Sequence, residues 1–159
     1  MQRDQENTNA MFKIRGYEIY PHLFYDPEGH FWLKVENNRA KIGMDPVVQE
    51  SMGAFVVVQI DELGKTLSKG KSFGTVEAEK YVGPLRAPVS GVVKKRNEQV
   101  TESPRLANTD PYGEGWLIEL ELTNFAEESS DLVTGERPLR DWFEKEIKKY
   151  EDSGWLAQL

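Results

Sequence analysis

Hydrophobic and polar positions alternate in short runs over most of the chain, and then the spacing changes near the end. "FKIRGYEIY" (Phe12 to Tyr20) and "HFWLKVENNRAKIGM" (His30 to Met44) place apolar side chains at every second position. That is the period of half-buried strands. Asn37-Asn38 interrupts the second run, and two residues that tolerate positive φ there predict a tight turn splitting it into two strands. "DPVVQESMG" reads as a short helix. Asp45 is a good N-cap, Pro46 suits the first helical position, and Gly53 can close it in a left-handed conformation. "AFVVVQI" (Ala54 to Ile60) is β-branched throughout its centre and predicts a buried strand. Turns at Gly64 and Gly70 lead to a strand near Phe73 to Ala78, and "APVSGVVKKRNEQV" and "GWLIELELT" supply two more. The link between those two, "TESPRLANTDPYGE", is rich in turn formers and predicts irregular structure.

Many short strands with Gly and Pro punctuation predict a mostly β fold, a sandwich or flattened barrel of two antiparallel sheets. A faint internal symmetry relates Val56–Ala78 to Val89–Leu120, each running strand, loop, strand. The tail "RPLRDWFEKEIKKYEDSGWLAQL" changes period. Leu139, Trp142, Phe143, Ile147 and Tyr150 share one helical face, while Arg140, Glu144, Lys145 and Lys148 occupy the opposite one. Its mixed charges predict an amphipathic helix packed on the sheets, since a membrane-surface helix would be more uniformly basic. The resulting organisation is a disordered lead-in over 1–10, a barrel over 11–137, and a C-terminal helix over 138–159 belonging to the same domain.

Composition narrows the chemistry. With 159 residues the chain is long enough for one modest core, and a formal charge of −7 without a long basic cluster argues against nucleic acid. The chain has no cysteine, which removes disulfides, thiolate metal sites and a cysteine nucleophile. No apolar run approaches the roughly 18 residues of a membrane helix, and the polar N-terminus "MQRDQENTNA" predicts a cytoplasmic protein. The two histidines, His22 and His30, are eight residues apart and fit no common metal motif, so both are expected to be structural or on the surface. Ser90 lacks the flanking pattern of a hydrolase elbow, and "GEG" (Gly113 to Gly115) lacks the lysine of a phosphate loop. "NFAEESSD", which holds the Glu127-Glu128 pair, reads as a loop. No catalytic constellation assembles, and the expectation is a protein that carries or binds something without converting it.

One segment stands apart, "GTVEAEKYVGPLRAPVSGVV" (Gly74 to Val93), where Lys80 sits among carboxylates at a bend between strands. A lysine at a hairpin tip is solvated and flexible, fit for a solubilising charge, an ion pair or a covalent attachment. The residues alone leave these open. The segment resembles the lipoylation site of the glycine cleavage H-protein family, part of the biotinyl/lipoyl carrier superfamily with its hammerhead barrel. There the modified lysine lies between an upstream Gly-x-Val-Glu and a downstream Pro-x-Ser-Gly. "HFWLKVENNRAKIGM" is similar to the family's opening strands, and "DPVVQESMGAFVVVQIDELGKTLSKG" to its helix and next strand. "LANTDPYGEGWLIELEL" is similar to its Asn-x-Asp-Pro-Tyr-Gly-x-Gly-Trp-Leu signature. The resemblance spans about His30 to Leu122.

It implies that Lys80 carries lipoic acid in amide linkage, with Glu77, Glu79 and Tyr81 as the surroundings of the attachment site. It also implies a carrier subunit without an active site of its own. Its partners would be a lipoate ligase or lipoyl transferase and the glycine cleavage P, T and L proteins, among which an aminomethyl intermediate would be passed. In the family a loaded arm is thought to fold back on the carrier, shielding the intermediate from water. The chain departs from the family around the lysine. Ala78-Glu79-Lys80-Tyr81 replaces Ser-Val-Lys-Ala, and Gly83-Pro84 replaces Ser-Asp. Two alternatives therefore accompany the main expectation. One is an H-like lipoate-binding protein of heterodisulfide-reductase-like sulfur oxidation, carrying sulfur or redox equivalents among sulfur-oxidation enzymes. The other is an unmodified adaptor on the same fold.

Overall fold

The computed structural model describes residues 10–156. The expected lead-in falls almost wholly on residues 1–9, outside the described residues. The strands are β1 (Phe12–Ile14), β2 (Tyr17–Ile19), β3 (Phe24–Tyr25), β4 (Phe31–Glu36), β5 (Arg39–Met44), β6 (Phe55–Ile60), β7 (Thr66–Leu67), β8 (Ser72–Ala78), β9 (Val82–Arg86), β10 (Gly91–Arg96) and β11 (Ile118–Leu122). The helices are α1 (Pro46–Met52), α2 (Glu98–Glu102), α3 (Leu106–Thr109), α4 (Phe125–Glu128) and α5 (Glu136–Asp152).

Two antiparallel sheets form the expected mostly β sandwich. One has six strands in the order β3-β4-β5-β11-β10-β7, and the other has three in the order β6-β8-β9. Phe31, Leu33, Ile42, Val58, Phe73, Val76, Leu120 and their neighbours fill the space between them. "FKIRGYEIY" is not one strand but the hairpin β1–β2, because Arg15 and Gly16 both take positive φ and turn the chain back. That hairpin and α5 cover the outer face of the six-stranded sheet. A second cluster of Ile14, Ile19, Tyr25, Trp32, Leu139, Phe143 and Ile147 lies beneath them. The start of β4 is consequently buried on both faces, Phe31 and Leu33 inward and Trp32 outward.

Other elements depart from their sequence patterns. β6 is not buried throughout. Val56 is 65 % exposed and Gln59 faces solvent, because β6 is the edge of the small sheet and has one solvated face. The turn-rich link contains α2 and α3, and the end of "APVSGVVKKRNEQV" belongs to α2. Asn97 caps that helix through Gln99 N–H and breaks the strand there. "NFAEESSD" forms α4 and a 3-10 turn (Ser129–Asp131). The carboxylate of Glu128 accepts from the backbone and hydroxyl of Ser90. Helix α5 starts at Glu136, two residues before Pro138, and buries Leu139, Phe143 and Ile147 as its period requires. Each such side chain contributes about 1.5–3 kcal/mol by leaving water.

Candidate functional site

The segment around Lys80 is the bend joining β8 to β9, antiparallel neighbours in the small sheet. No residue in it takes positive φ, so it is not a two-residue hairpin turn of the usual kind. Its shape comes from outside. Lys80 N–H donates to the carbonyl of Met52 at 2.9 Å, and Glu79 N–H donates to that of Ala54 at 3.1 Å. The Glu79 carboxylate turns back and accepts from Ala54 N–H at 2.7 Å. The bend thus leans on the junction between α1 and β6.

Gly53 makes that contact possible. Its φ is +81°, and a Cβ there would lie 3.0 Å from the Glu79 side chain. Its ψ of −161° differs from a left-handed helix cap, so it ends α1 by swinging the chain outward into β6. Asn108, from the Asn-x-Asp-Pro segment, fastens the same junction from below. Its amide donates to Gly53 O and Gln49 Oε1, each at 2.9 Å, and its carbonyl accepts from Phe55 N–H at 2.9 Å. Tyr112, four residues on, donates to Glu18 O at 2.7 Å and joins the same loop to β2.

The other end of α1 is held by a buried charge cluster. Asp45 caps the helix, with Oδ1 accepting from Val47 and Val48 N–H at 2.9 Å each. Its Oδ2 meets Nδ1 of His30 at 2.8 Å, and Nε2 of His30 meets Glu146 of α5 at 2.9 Å. Burial alone would lower the His30 pKa, but Asp45 and then Glu146, by charge and hydrogen bonding, raise it to about 9. His30 is therefore an imidazolium tying α1 to α5. It is structural, as expected, whereas His22 is exposed.

The four residues singled out from sequence have different surroundings. Lys80 is exposed, and no ion pair or side-chain hydrogen bond among the described residues engages its ammonium. Glu79 is a backbone brace. Tyr81 folds over Gly83, where a Cβ would come within 2.5 Å of its hydroxyl, so the tyrosine and the glycine occur together for a steric reason. Glu77 sits apart on the solvated side of β8, between Val57 and Val82. Sequence reasoning missed Met52, Gly53, Ala54 and Asn108 as the support of the bend. It also missed a groove of about 500 Å³ that opens beside Lys80, walled by Val48, Met52, Tyr81, Tyr150 and Trp155. The support is backbone and amide contact between distant segments, which periodicity does not report. Of all this only the Asn-x-Asp-Pro signature gave a visible signal.

An exposed amine without a partner among the described residues, on a bend with a fixed backbone, can accept an acyl group without disturbing the fold. Among the described residues there is no cluster of three metal-ligating side chains and no helix long and apolar enough to cross a membrane. The family model described as "Glycine cleavage H-protein" matches residues 23–145. "Glycine cleavage system H protein 2" of Aquifex aeolicus is 38 % identical over 138 residues, covering 84 % of this chain and 86 % of that protein. The "Glycine cleavage system H protein" of Carboxydothermus hydrogenoformans is 47 % identical over 98 residues, 62 % of this chain and 75 % of that one. The crystal structure of a glycine cleavage system H protein from Mycobacterium marinum superposes with a TM-score of 0.62 at 31 % identity, covering 70 % of this chain and 97 % of that chain. A matched span that takes in both sheets and the Lys80 bend, with a solved relative of the same fold, makes this chain a member of the glycine cleavage H-protein family.

Proposed function

We propose that this protein is the lipoyl carrier of a glycine cleavage system, with Lys80 as the attachment point, and that it has no active site of its own. The observation that carries the reading is the bend: an amine that is exposed and has no ion pair among the described residues, on a backbone braced at Met52 O and Ala54 O. Lipoate joined there would supply a dithiolane that opens, takes cargo and closes again by thiol–disulfide exchange. The chain's own part is to hold the attachment point still, to present it to a ligase or transferase, and to meet the P, T and L proteins in turn. Tethering raises the local concentration of cargo at each partner. The absence of cysteine in the chain fits this task, since no protein thiol competes with those sulfurs.

Co-expression with a lipoate ligase followed by intact mass is expected to give a single lipoyl adduct that Lys80→Arg abolishes. The loaded protein is then expected to support glycine-dependent carbon dioxide exchange by the decarboxylase partner. A loaded protein inactive in exchange would favour the sulfur-oxidation reading, which the unusual Glu79 and Tyr81 beside the lysine keep in view. An unloaded protein with any ligase would favour the adaptor.

A further inference from the structure

Helix α5 and the β1–β2 hairpin cover only part of the outer face of the six-stranded sheet. Where they stop, the face turns basic. Register places Lys34 of β4 opposite Lys41 of β5, Lys41 opposite Glu119 of β11, and Glu119 opposite Lys95 of β10. This is one row across four strands, on the side away from the core residues Leu33, Ile42 and Leu120. Like charges directly opposite each other, as Lys34 and Lys41 are, repel and weaken a sheet. Little offsets them. Lys34 meets Glu36 only at 3.8 Å, and Glu119 is shared by Arg39 at 3.2 Å and Lys95 at 3.9 Å. Lys41 enters no ion pair among the described residues, and its ammonium lies 5.1 Å from the centre of the Trp116 ring. These cations wall an open hollow of about 380 Å³, on a chain whose formal charge is −7. Lys34 and Lys41 also wall a second hollow of about 220 Å³, whose other walls include Tyr20, His22, Trp32 and Tyr112. Tyr20 and His22 lie before residue 23, where the family match begins.

We propose that this face is a docking surface for an acidic segment of a partner protein, extended across the strands, with an apolar side chain seated in the aromatic hollow. Distances select the occupant. Neighbouring strands lie about 4.8 Å apart, so the row from β4 to β10 is about 14 Å long. That is too long for one phosphate or one carboxylate to bridge. An extended chain repeats its side chains on one face about every 6.8 Å, so three carboxylates at alternate positions span the row. A nucleic acid would run on past the four cations, over a chain that is acidic on balance. The aromatic hollow adjoins the Lys34 end and gives an apolar residue of the same segment a place to leave water. Complementary charge of this kind sets encounter rate and orientation more than raw affinity. The Lys80 bend belongs to the other sheet and lines neither hollow, so a partner seated here leaves the bend uncovered. The proposal stands whether or not Lys80 is modified.

The test uses the full chain and two blocked synthetic peptides that alternate Glu with Ser and carry one Phe, at the N-terminal end in one and the C-terminal end in the other. The indole N–H signal of Trp116, assigned by its loss in Trp116→Phe, is expected to move on titration with at least one of them. That of Trp155, which lines the groove beside Lys80, is expected to stay in place. The double variant Lys34→Gln, Lys41→Gln should bind roughly fivefold to tenfold more weakly. It also relieves the repulsion between the two lysines, so an undiminished Tm separates lost contact from lost folding. Serine in place of the peptide's Phe should cost about threefold, and raising salt from about 0.05 to 0.3 M should weaken binding further. A Trp116 signal that neither peptide moves overturns the proposal. So does undiminished binding by the double variant, or equal binding of a peptide with Gln in place of Glu. Inorganic phosphate or a phosphatidylglycerol vesicle that moves Trp116 as far at matched charge also overturns it, since either assigns the face to another class of anion.

Discussion

Two bends in this molecule do the same geometric job by opposite means. Asn37-Asn38 joins β4 to β5, and both residues take positive φ, 50° and 60°. The turn is made by the residues that form it, as two asparagines allow. The Glu79-Lys80-Tyr81 bend joins β8 to β9 with no such residue, and its Lys80 and Glu79 N–H groups donate to the carbonyls of Met52 and Ala54 where α1 meets β6. A self-made turn can be changed locally with local consequences. A braced one passes its dependence to α1, then through Asp45 to His30 and Glu146, and through Gly53 to Asn108. The lysine proposed to carry the arm stands at the end of that chain of support, so distant substitutions are expected to move it.

The largest effect is expected at His30. His30→Ala leaves Asp45 and Glu146 facing each other's charge without a cation, at a cost of about 3 kcal/mol in urea unfolding. The same contact sets a pH dependence. The imidazole pKa rises from 6.5 in the unfolded chain to about 9 in the fold, so its contribution is complete below pH 6.5. That contribution is lost as pH rises from 6.5 through about 9, on the order of 3 kcal/mol in all. His30→Gln should flatten this slope, which unfolding curves at fixed ionic strength would register.

Next comes Asn108→Ala, which strands Phe55 N–H and Gly53 O and should cost about 2 kcal/mol. It should also slow ligase modification of Lys80 in a timed mass assay, because the junction bracing the bend loosens. Glu79→Ala removes a single exposed brace and should cost about 1 kcal/mol, with amide exchange at Ala54 accelerated. At the self-made turn, Asn37→Gly should stay within about 0.5 kcal/mol, as measured by Tm, since glycine accepts the same φ. A large loss there would undo the contrast.

The difference between the bends also explains what could be read from the sequence. Asn37-Asn38, the Asp45-Pro46 helix start and the stripe from Leu139 to Tyr150 are local signals, and each appears in the structure where its pattern put it. The alternation over the β1–β2 hairpin reads as one strand because Arg15-Gly16 is a weaker turn signal than Asn-Asn or Asn-Gly. The run that forms β6 reads as buried because β-branched content reports strand preference and not which face a sheet leaves open. Around Lys80 the sequence revealed the lysine and its neighbours but not their tasks. Glu79 looked like a surface charge for a partner to read, and its carboxylate is instead turned back to Ala54 N–H. Trp155 gives no local signal, and in the structure it lines a groove together with Val48 and Met52 of α1.

Whether the braced amine of Lys80 carries lipoate is decided by site-resolved mass spectrometry of the protein purified from its native cell. A lipoyl group is expected on the peptide containing Lys80 and on no other lysine. A lipoyl group mapped to another lysine, or its absence from protein made in lipoate-replete cells, would contradict it.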